Sequence, residues 1–579
     1  MSYILGIHDG HTSTAAILNG SEIIGAISEE RITRRKVQGG FPKRAIKNLL
    51  TYNDIDPTQI DQVAVGSIVT PITQEDMLYA NNGYYRIDRT IFQKFGKFLP
   101  TKVKNSPITL DLYRRIFGKE KKRIKNIKEE LKKLGIIQDF EIIEHHYAHA
   151  CTALYKNQHK CEKCLVITND GSGDGLCATI NIYDNGILER IKEITSFNSI
   201  GEFYSRITQF LGMKPLEHEF KVMGLAAYPL ETEYFKNIKE KFYRYFRTDG
   251  LNIINNTGCW GENYIKFFKK DVFTIRFDYL AKATQELLEK IILEWISNAI
   301  KETNIHNICL AGGLFMNVKL NMKIRNLAEV DKLFVFPSGG DESIAIGAAL
   351  ALNSTTNNYN HFSPLGNLYL GPHYSNEEIE NELYSNKYGN KIQFKYIETI
   401  EDRIVEELLN KKIVARSSGQ MEWGARALGN RSIIALANDS SIIHKTNKAI
   451  KKRDFWMPFA PSILYDVKDN YVIDNNKMLS HYMNMAYNTS ENAKRDIIAA
   501  IHPFDFSARP QIVTDEFNKK FYNIIKKINK EIGIGGILNT SFNLHGEPIV
   551  NTPEDALHTL LNSELDYLIL ENYIVSRKE

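Results

Sequence analysis

Five short motifs carry residue types that do chemistry. Glu144-His145-His146-Tyr147-Ala148-His149 places three histidines within five residues. His145 and His149 are one helical turn apart, so on a helix they share a face and can chelate one cation. The plainer alternative is a polar helix start with incidental histidines. Asn169-Asp170-Gly171-Ser172-Gly173-Asp174-Gly175 is an acidic, glycine-rich turn. Its glycines let backbone N–H groups close on an anion, and its carboxylates can hold a metal or polarise a nucleophile. The same composition also makes ordinary hairpin punctuation. Ala311-Gly312-Gly313-Leu314-Phe315-Met316-Asn317 and Pro337-Ser338-Gly339-Gly340-Asp341-Glu342-Ser343 are glycine turns bracketing a helix. In this order they fit the nucleotide cleft of an actin-like ATPase. The fifth group combines Arg426 and Arg431 in Gly419–Ser432, Asn447, Lys451 and Arg453, and Ser541 and Asn543 in Leu538–Val550. Arginines among glycines suit an oxyanion that a guanidinium can clamp bidentately. An arginine-bearing loop beside a buried proline-rich turn is the alternative.

These motifs need elements to position them. Tyr3–Ile7, Thr14–Leu18 and Glu22–Ser28 read as three strands, with Asn19-Gly20 as a hairpin signal. A helix is predicted near Pro42–Tyr52. The unit recurs at Leu165–Thr168, which ends in the Asp170 turn and is followed by a strand at Ala178–Tyr183 and Asp184-Asn185-Gly186. Two such halves predict an internal duplication. Helices are predicted at Ser199–Leu211, Tyr279–Thr303 and Ile344–Leu350, and a strand at Asn307–Ala311. Residues 353–362 are polar and aperiodic, which places the main boundary there, with domains at 1–355 and 363–579. The second domain alternates helices and strands.

The bulk numbers narrow the class. A chain of 579 residues is too long for one core. Hydrophobic residues make up 43% and charged residues 25%, ordinary globular values, and a net charge of +4 over this length does not argue for nucleic acid. The stretch from Lys94 to Lys133 is basic and helical from Lys121 to Leu134. A solvated helical face is the simple reading, and a dock for an anionic acceptor the other. No apolar run reaches the roughly 18–20 residues that span a bilayer, so no membrane partner is expected. The chain opens without a signal-peptide pattern, and its six cysteines are sparse, which points to the reducing cytoplasm. Cys161-Glu162-Lys163-Cys164 is a lone pair without the second pair that a zinc site needs.

Taken in order, the motifs resemble the NodU/CmcH carbamoyltransferase family, the family of the tobramycin carbamoyltransferase. The resemblance spans nearly the whole chain. It rests on Leu5-Gly6-Ile7 with His11 and Ala15-Ala16, on Glu29-Glu30-Arg31-Ile32-Thr33-Arg34-Arg35-Lys36, and on His145–Ala150. It continues through Glu219-Phe220-Lys221-Val222-Met223-Gly224-Leu225-Ala226, Asp341, Arg426–Ser432 and Asn539–Val550. It implies an α/β protein with an N-terminal actin-like (ASKHA, threonylcarbamoyl-transferase-like) domain of duplicated lobes and a C-terminal YrdC-like domain. It implies that the C-terminal site makes carbamoyl adenylate from carbamoyl phosphate and ATP, with Mg2+ accompanying ATP. The N-terminal site then transfers the carbamoyl group to an acceptor hydroxyl with a divalent metal, commonly Fe2+.

Carried over by position, the resemblance implies His145, His149 and Asp341 as metal ligands and His11 as the base beside the reacting centre, with His146 as a second candidate. Glu219 and Lys221 match the family's acidic-x-Lys pair near the nucleotide. Asp170, Gly171, Gly312, Gly313 and Asn317 match its phosphate and adenosine loops. Arg426, Arg431, Lys451, Arg453, Ser541 and Asn543 match residues around ATP and carbamoyl phosphate. Two departures stand out. Thr12 replaces an Asp that would orient His11, and Met457 replaces an Arg that would supply an anion contact.

The implied acceptor is a hydroxylated small molecule such as a sugar or natural product. A polyanion such as hydroxymethylated DNA is the alternative that the basic stretch keeps open. Family members are often homodimers. An actin-like kinase would need the glycine turns but leave the arginine and Asn539–Val550 motifs without a task. A carbamoyltransferase acting on a protein thiol usually carries further N-terminal regions, and a non-catalytic scaffold would not need the metal triad.

Overall fold

Strands β1 (Tyr3–His8), β2 (Thr14–Asn19) and β3 (Glu22–Ser28) form an antiparallel meander, and β4 (Ile60–Gly66) and β5 (Phe140–Ile143) add to its other side in parallel. The sheet order is β3-β2-β1-β4-β5. The pattern repeats in β6 (Lys163–Gly173), β7 (Leu176–Asp184), β8 (Ile187–Thr195), β9 (Asn307–Ala311) and β10 (Lys332–Val335), ordered β8-β7-β6-β9-β10 with the same strand senses. Two copies of one mixed five-stranded sheet in one unit are the duplicated lobes of the actin-like fold. The parallel members read as unbroken apolar runs because both faces are covered. In β9, Ile308, Cys309, Leu310 and Ala311 are all buried.

The computed structural model describes residues 2–69, 109–110, 112–114, 121–159, 162–356, 363–385, 387–474 and 478–578. Residues 94–108, 111 and 115–120 of the basic stretch, Cys161 of the cysteine pair and residues 357–362 of the polar boundary lie outside them. The described part of the basic stretch includes a helix at Lys121–Lys133. The chain divides into two units, Met1–Glu29 with Val37–Leu365, and Glu30–Lys36 with Gly366–Glu579. The break after Leu365 follows the polar segment, whereas the membership of Glu30–Lys36 in the second unit had no local signal.

Two details differ from the sequence reading. The β2–β3 loop is Gly20-Ser21, one residue beyond Asn19-Gly20, because Asn19 pairs with Glu22. β6 does not end at Asn169. It runs through Asp170 to Gly173, and the turn falls at Asp174-Gly175. Asp170 is therefore held on a strand and not in a loose anion-binding loop.

The second unit is built on one mixed sheet. Its strands are β11 (Ile392–Tyr396), β12 (Val414–Ser417), β13 (Arg431–Leu436), β14 (Ala460–Leu464), β15 (Gln511–Val513), β16 (Gly536–Ser541), β17 (Tyr567–Leu570) and β18 (Tyr573–Arg577). Their order is β11-β18-β17-β12-β13-β16-β14-β15. Helices Ile400–Leu409 and Lys519–Ile532 lay their apolar stripes on the sheet. Ile404, Leu408, Phe521, Ile525 and Ile528 pack with Val414, Ile434 and Ile537. Among the described residues, no helix is long and apolar enough to cross a membrane.

Candidate functional site

The histidine motif forms the start of a helix, His145–Tyr155. Glu144 caps it, accepting from the Tyr147 backbone N–H at 2.7 Å. Burial opposes the Glu144 charge, but the guanidiniums of Arg190 and Arg114 hold its carboxyl down at about 2. Every residue of the helix except Tyr147 is buried. Its alanines allow a close crossing with helix Ile344–Thr356, where a Cβ on Gly347 would stand 2.1 Å from the Ala148 carbonyl oxygen. The crossing sets Asp341, in the 3-10 turn that opens the second helix, beside the histidines.

His145, His149, Asp170 and Asp341 each offer a ligand atom, and these atoms lie within 4.8 Å of one another. His145 Nε2 is 3.1 Å from Asp170 Oδ2 and 3.8 Å from Asp341 Oδ1. His149 Nε2 is 3.9 Å from the same two oxygens. The remote nitrogens are pinned by hydroxyls. His145 Nδ1 lies 3.1 Å from Ser67 Oγ, and His149 Nδ1 lies 3.2 Å from Ser343 Oγ. Such outer contacts fix ring orientation and leave Nε2 aimed inward. Gly173 makes room for the ring, since a Cβ there would lie 2.1 Å from His145 Cδ2.

The donor set fits a divalent cation. His149 Nε2 is buried and has no hydrogen-bond partner, a costly condition that a metal lone-pair bond would relieve. Two imidazoles with carboxylates are a set used for divalent iron, with positions left open for a reactant. Without a cation the carboxylates repel. Burial and the Asp170 charge push Asp341 well above the usual carboxylate range, while His145 and His149 hold Asp170 well below it against burial. Burial lowers His145, but its bond to Asp170 and the charge of Asp341 outweigh this and raise it to about 9. Burial and the neighbouring imidazoles push His149 well below its ordinary value.

His11 lies at the edge, 22% exposed, with Nδ1 3.3 Å from Asp341 Oδ2. Asp341 thus supplies the carboxylate contact that Thr12 cannot. His8 was missed by sequence reading. It is fully buried, its Nε2 stands 3.7 Å from Asp341 Oδ2, and neither ring nitrogen has a hydrogen-bond partner. The intervening Asp9 is clamped by Arg123 through two bonds of 2.8 and 2.7 Å, and Arg123 also donates to the Ser67 and Gly66 carbonyls. His146 points elsewhere. Its Nδ1 meets Thr168 Oγ1 at 2.8 Å, and burial with the charge of His145 lowers it to about 4.

The glycine loops adjoin this cluster. Gly313 N–H donates to Asp170 Oδ1 at 3.2 Å, and Gly312 adopts φ +108, with its Cβ position 2.2 Å from the Asn169 carbonyl. At Gly171 a Cβ would meet nothing within 4 Å. Asn317 caps helix Val318–Arg325 and pairs with Gln285. Glu219 accepts from Ser205 Oγ and Leu216 N–H, both at 2.7 Å, with Lys221 half-buried on the same helical turn.

In the second unit, Lys451 Nζ donates to Ser541 Oγ at 3.1 Å and Asn543 Oδ1 at 2.8 Å. Arg453 donates to the Pro458 carbonyl and to Thr540 Oγ1 and lies over the Phe459 ring. Burial lowers Lys451 well below its ordinary value, and the further charges acting on it are Arg453 and Lys36. Arg453 is lowered to about 10 by burial and by Arg426. Arg509, absent from the sequence reading, is lowered by burial, Arg426 and Arg453. Arg453 thus acts on Lys451, and Arg426 on both Arg453 and Arg509, so these cations form one cluster whose charge suits a polyanion. Arg431 is not brought to this group. Its guanidinium is 1% exposed and donates to the Gly419, Asn430 and Pro372 carbonyls, so it braces the loop instead.

Comparison with known proteins follows the same division. The family model "Carbamoyltransferase N-terminus" matches residues 3–350 and "Carbamoyltransferase C-terminus" matches 405–577. Uncharacterized protein MJ1051 of Methanocaldococcus jannaschii is 36% identical over 99% of each chain. Nodulation protein NolNO of Sinorhizobium fredii is 27% identical over 99% of this chain and 79% of its own. Nodulation protein NolO of Bradyrhizobium diazoefficiens is 30% identical over 75% of this chain and 79% of its own.

Proposed function

Since this chain belongs to the carbamoyltransferase family, we propose that it makes carbamoyl adenylate from carbamoyl phosphate and ATP and transfers the carbamoyl group to a small-molecule hydroxyl. The observation that carries the reading is the cluster of cations at β16, where Lys451 Nζ is held by Ser541 Oγ and Asn543 Oδ1 and Arg453 by Thr540 Oγ1, with Arg426 and Arg509 close enough for their charges to be felt there. Triphosphate and acyl phosphate bring the negative charge that such a group lacks. Water cleaves carbamoyl phosphate to carbamate and phosphate, and the carbamate oxygen then attacks the α-phosphorus of ATP as the bond to pyrophosphate breaks; guanidiniums clamp the phosphate oxygens and the Lys451 ammonium neutralises the charge on the leaving groups. Mg2+ accompanies the ATP.

In the first unit, His145, His149, Asp341 and Asp170 would hold a divalent cation, which we assign as Fe2+. When bound it supplies Lewis acidity toward the carbamoyl carbonyl. His11 takes the proton of the acceptor hydroxyl, with Asp341 orienting its ring from Nδ1. Gly171, where a Cβ would meet nothing within 4 Å, leaves room beside Asp170 for the adenylate, and the Gly312-Gly313 turn packs directly against Asn169 and Asp170. None of the five cysteines among the described residues is in a disulfide, which suits a reducing cytoplasm.

Incubation of the full chain with ATP and carbamoyl phosphate tests the reading. Formation of AMP and pyrophosphate dependent on carbamoyl phosphate supports it. Formation of ADP alone would replace it with a kinase.

A further inference from the structure

The two oxygens of Asp341 face different histidine pairs. Oδ1 is approached by His145 and His149, at 3.8 and 3.9 Å. Oδ2 is approached by His8 Nε2, at 3.7 Å, and by His11 Nδ1, at 3.3 Å. Local backbone sets both of the latter rings. His8 closes β1, and Gly6 lets that strand lie against helix Ile344–Thr356, since a Cβ at Gly6 would stand 1.9 Å from the Ala345 carbonyl oxygen. His11 sits in the β1–β2 turn beside Thr12, which holds a φ of +56. A β-branched residue is strained in that region, so the surrounding structure enforces the turn.

His8 is fully buried, and neither ring nitrogen has a hydrogen-bond partner among the described residues. It is not among the four residues whose ligand atoms converge on the first cation position. A buried imidazole without a partner is costly, and a cation at Nε2 relieves that nitrogen. The spacing allows one. Metal bonds of about 2.0–2.2 Å to nitrogen and oxygen place two ligand atoms no more than about 4.3 Å apart. Both contacts with Oδ2 fall inside that limit. The charge of the neighbouring Arg123 is taken up by Asp9 through two hydrogen bonds. His11 is 22% exposed, which gives an ion a way in from solvent.

We propose that His8 Nε2, His11 Nδ1 and Asp341 Oδ2 form a second divalent-cation site, bridged to the first through the Asp341 carboxylate. Two imidazoles and a carboxylate suit Zn2+, with water completing the shell. The second ion shares its only carboxylate and feels the charge of the first, so it binds more weakly and fills last. The site stands apart from the function proposed above, but one consequence depends on it. An imidazole whose Nδ1 holds a cation carries its remaining proton on Nε2 and cannot accept another, so His11 is a base only while the second site is empty.

Calorimetric titration of the full chain, stripped of metal, with Zn2+ tests this, together with metal analysis of the loaded chain. The native chain should take up two equivalents, the second at least about 100-fold more weakly than the first. His8→Asn should keep the first equivalent and weaken the second by about tenfold or more, because the shorter amide ends near the place of Nδ1 and cannot reach the ion. His11→Ala, at the exposed edge, should do the same, and the retained first equivalent reports an intact fold in both variants. Asp341→Asn should weaken both equivalents. A single equivalent in the native chain, or a second that survives His8→Asn and His11→Ala, would overturn the proposal. If the second equivalent behaves as described and carbamoyl phosphate elicits no pyrophosphate from ATP, the second site stands and only the carbamoyl-transfer reading falls.

Discussion

His149 Nε2 stands 3.9 Å from Asp341 Oδ1, too far for a hydrogen bond and close enough for both atoms to reach one cation. The His149 ring has no room to turn away. His149 is fully buried, and Ser343 Oγ holds its other nitrogen at 3.2 Å.

Replacing His149 by Ala should therefore remove the cation while leaving the fold. Metal content of purified protein, measured by inductively coupled plasma mass spectrometry, should fall from one per chain to near zero. Ser343→Ala should act more gently, weakening metal affinity by about 10- to 100-fold, the usual cost of an outer partner. Full occupancy in both variants would contradict the site.

Metal uptake should depend on pH through His145. Asp170 and Asp341 raise it to about 9 without the metal, so a proton must leave before Nε2 can bind a cation. Apparent affinity should drop about tenfold for each pH unit below this value, for one displaced proton. The raised value also stabilises the metal-free fold. That contribution is complete below the ordinary imidazole value near 6.5 and is lost as pH rises toward 9. Metal titrations at several pH values, with melting curves of metal-free protein, check both signs.

Gly173→Ala should displace the His145 ring, because the added carbon would lie 2.1 Å from Cδ2. Overpacking of this kind costs about 1–3 kcal/mol, and metal affinity should fall with it. Calorimetric melting and metal titration of the variant read the two effects separately.

Anion binding to the second unit should take up a proton. Burial depresses Lys451, and a bound anion reverses this by favouring the ammonium. Pyrophosphate titrations in buffers of different ionisation enthalpy should show net uptake at pH above the depressed value. Proton release would contradict the role of Lys451.

Much of this was legible in the sequence, for physical reasons that differ by residue. The spacing of His145 and His149 was readable because one helix carries both side chains. The first meander was readable because period-two patterning and turn residues are local. Asp341 needed the family resemblance, since its partners are nearly two hundred positions away in sequence. Asp170 was read as part of a nucleotide loop, because nothing local shows that the strand continues to Gly173. His8 and Arg509 are single residues without a motif, and only tertiary packing brings them to their clusters. Arg431 looked like an anion ligand because the carbonyls that occupy it come from distant turns.

The account assigns donor activation to one unit and the metal to the other. Carbamoyl-phosphate-dependent release of pyrophosphate from ATP, compared between His149→Ala and Lys451→Ala, tests that division most directly. The account predicts that His149→Ala releases pyrophosphate within about threefold of the native rate, and that Lys451→Ala loses about 100-fold or more, as for removal of a charge aimed at the transition state. Loss of release in His149→Ala, or native release in Lys451→Ala, would contradict it.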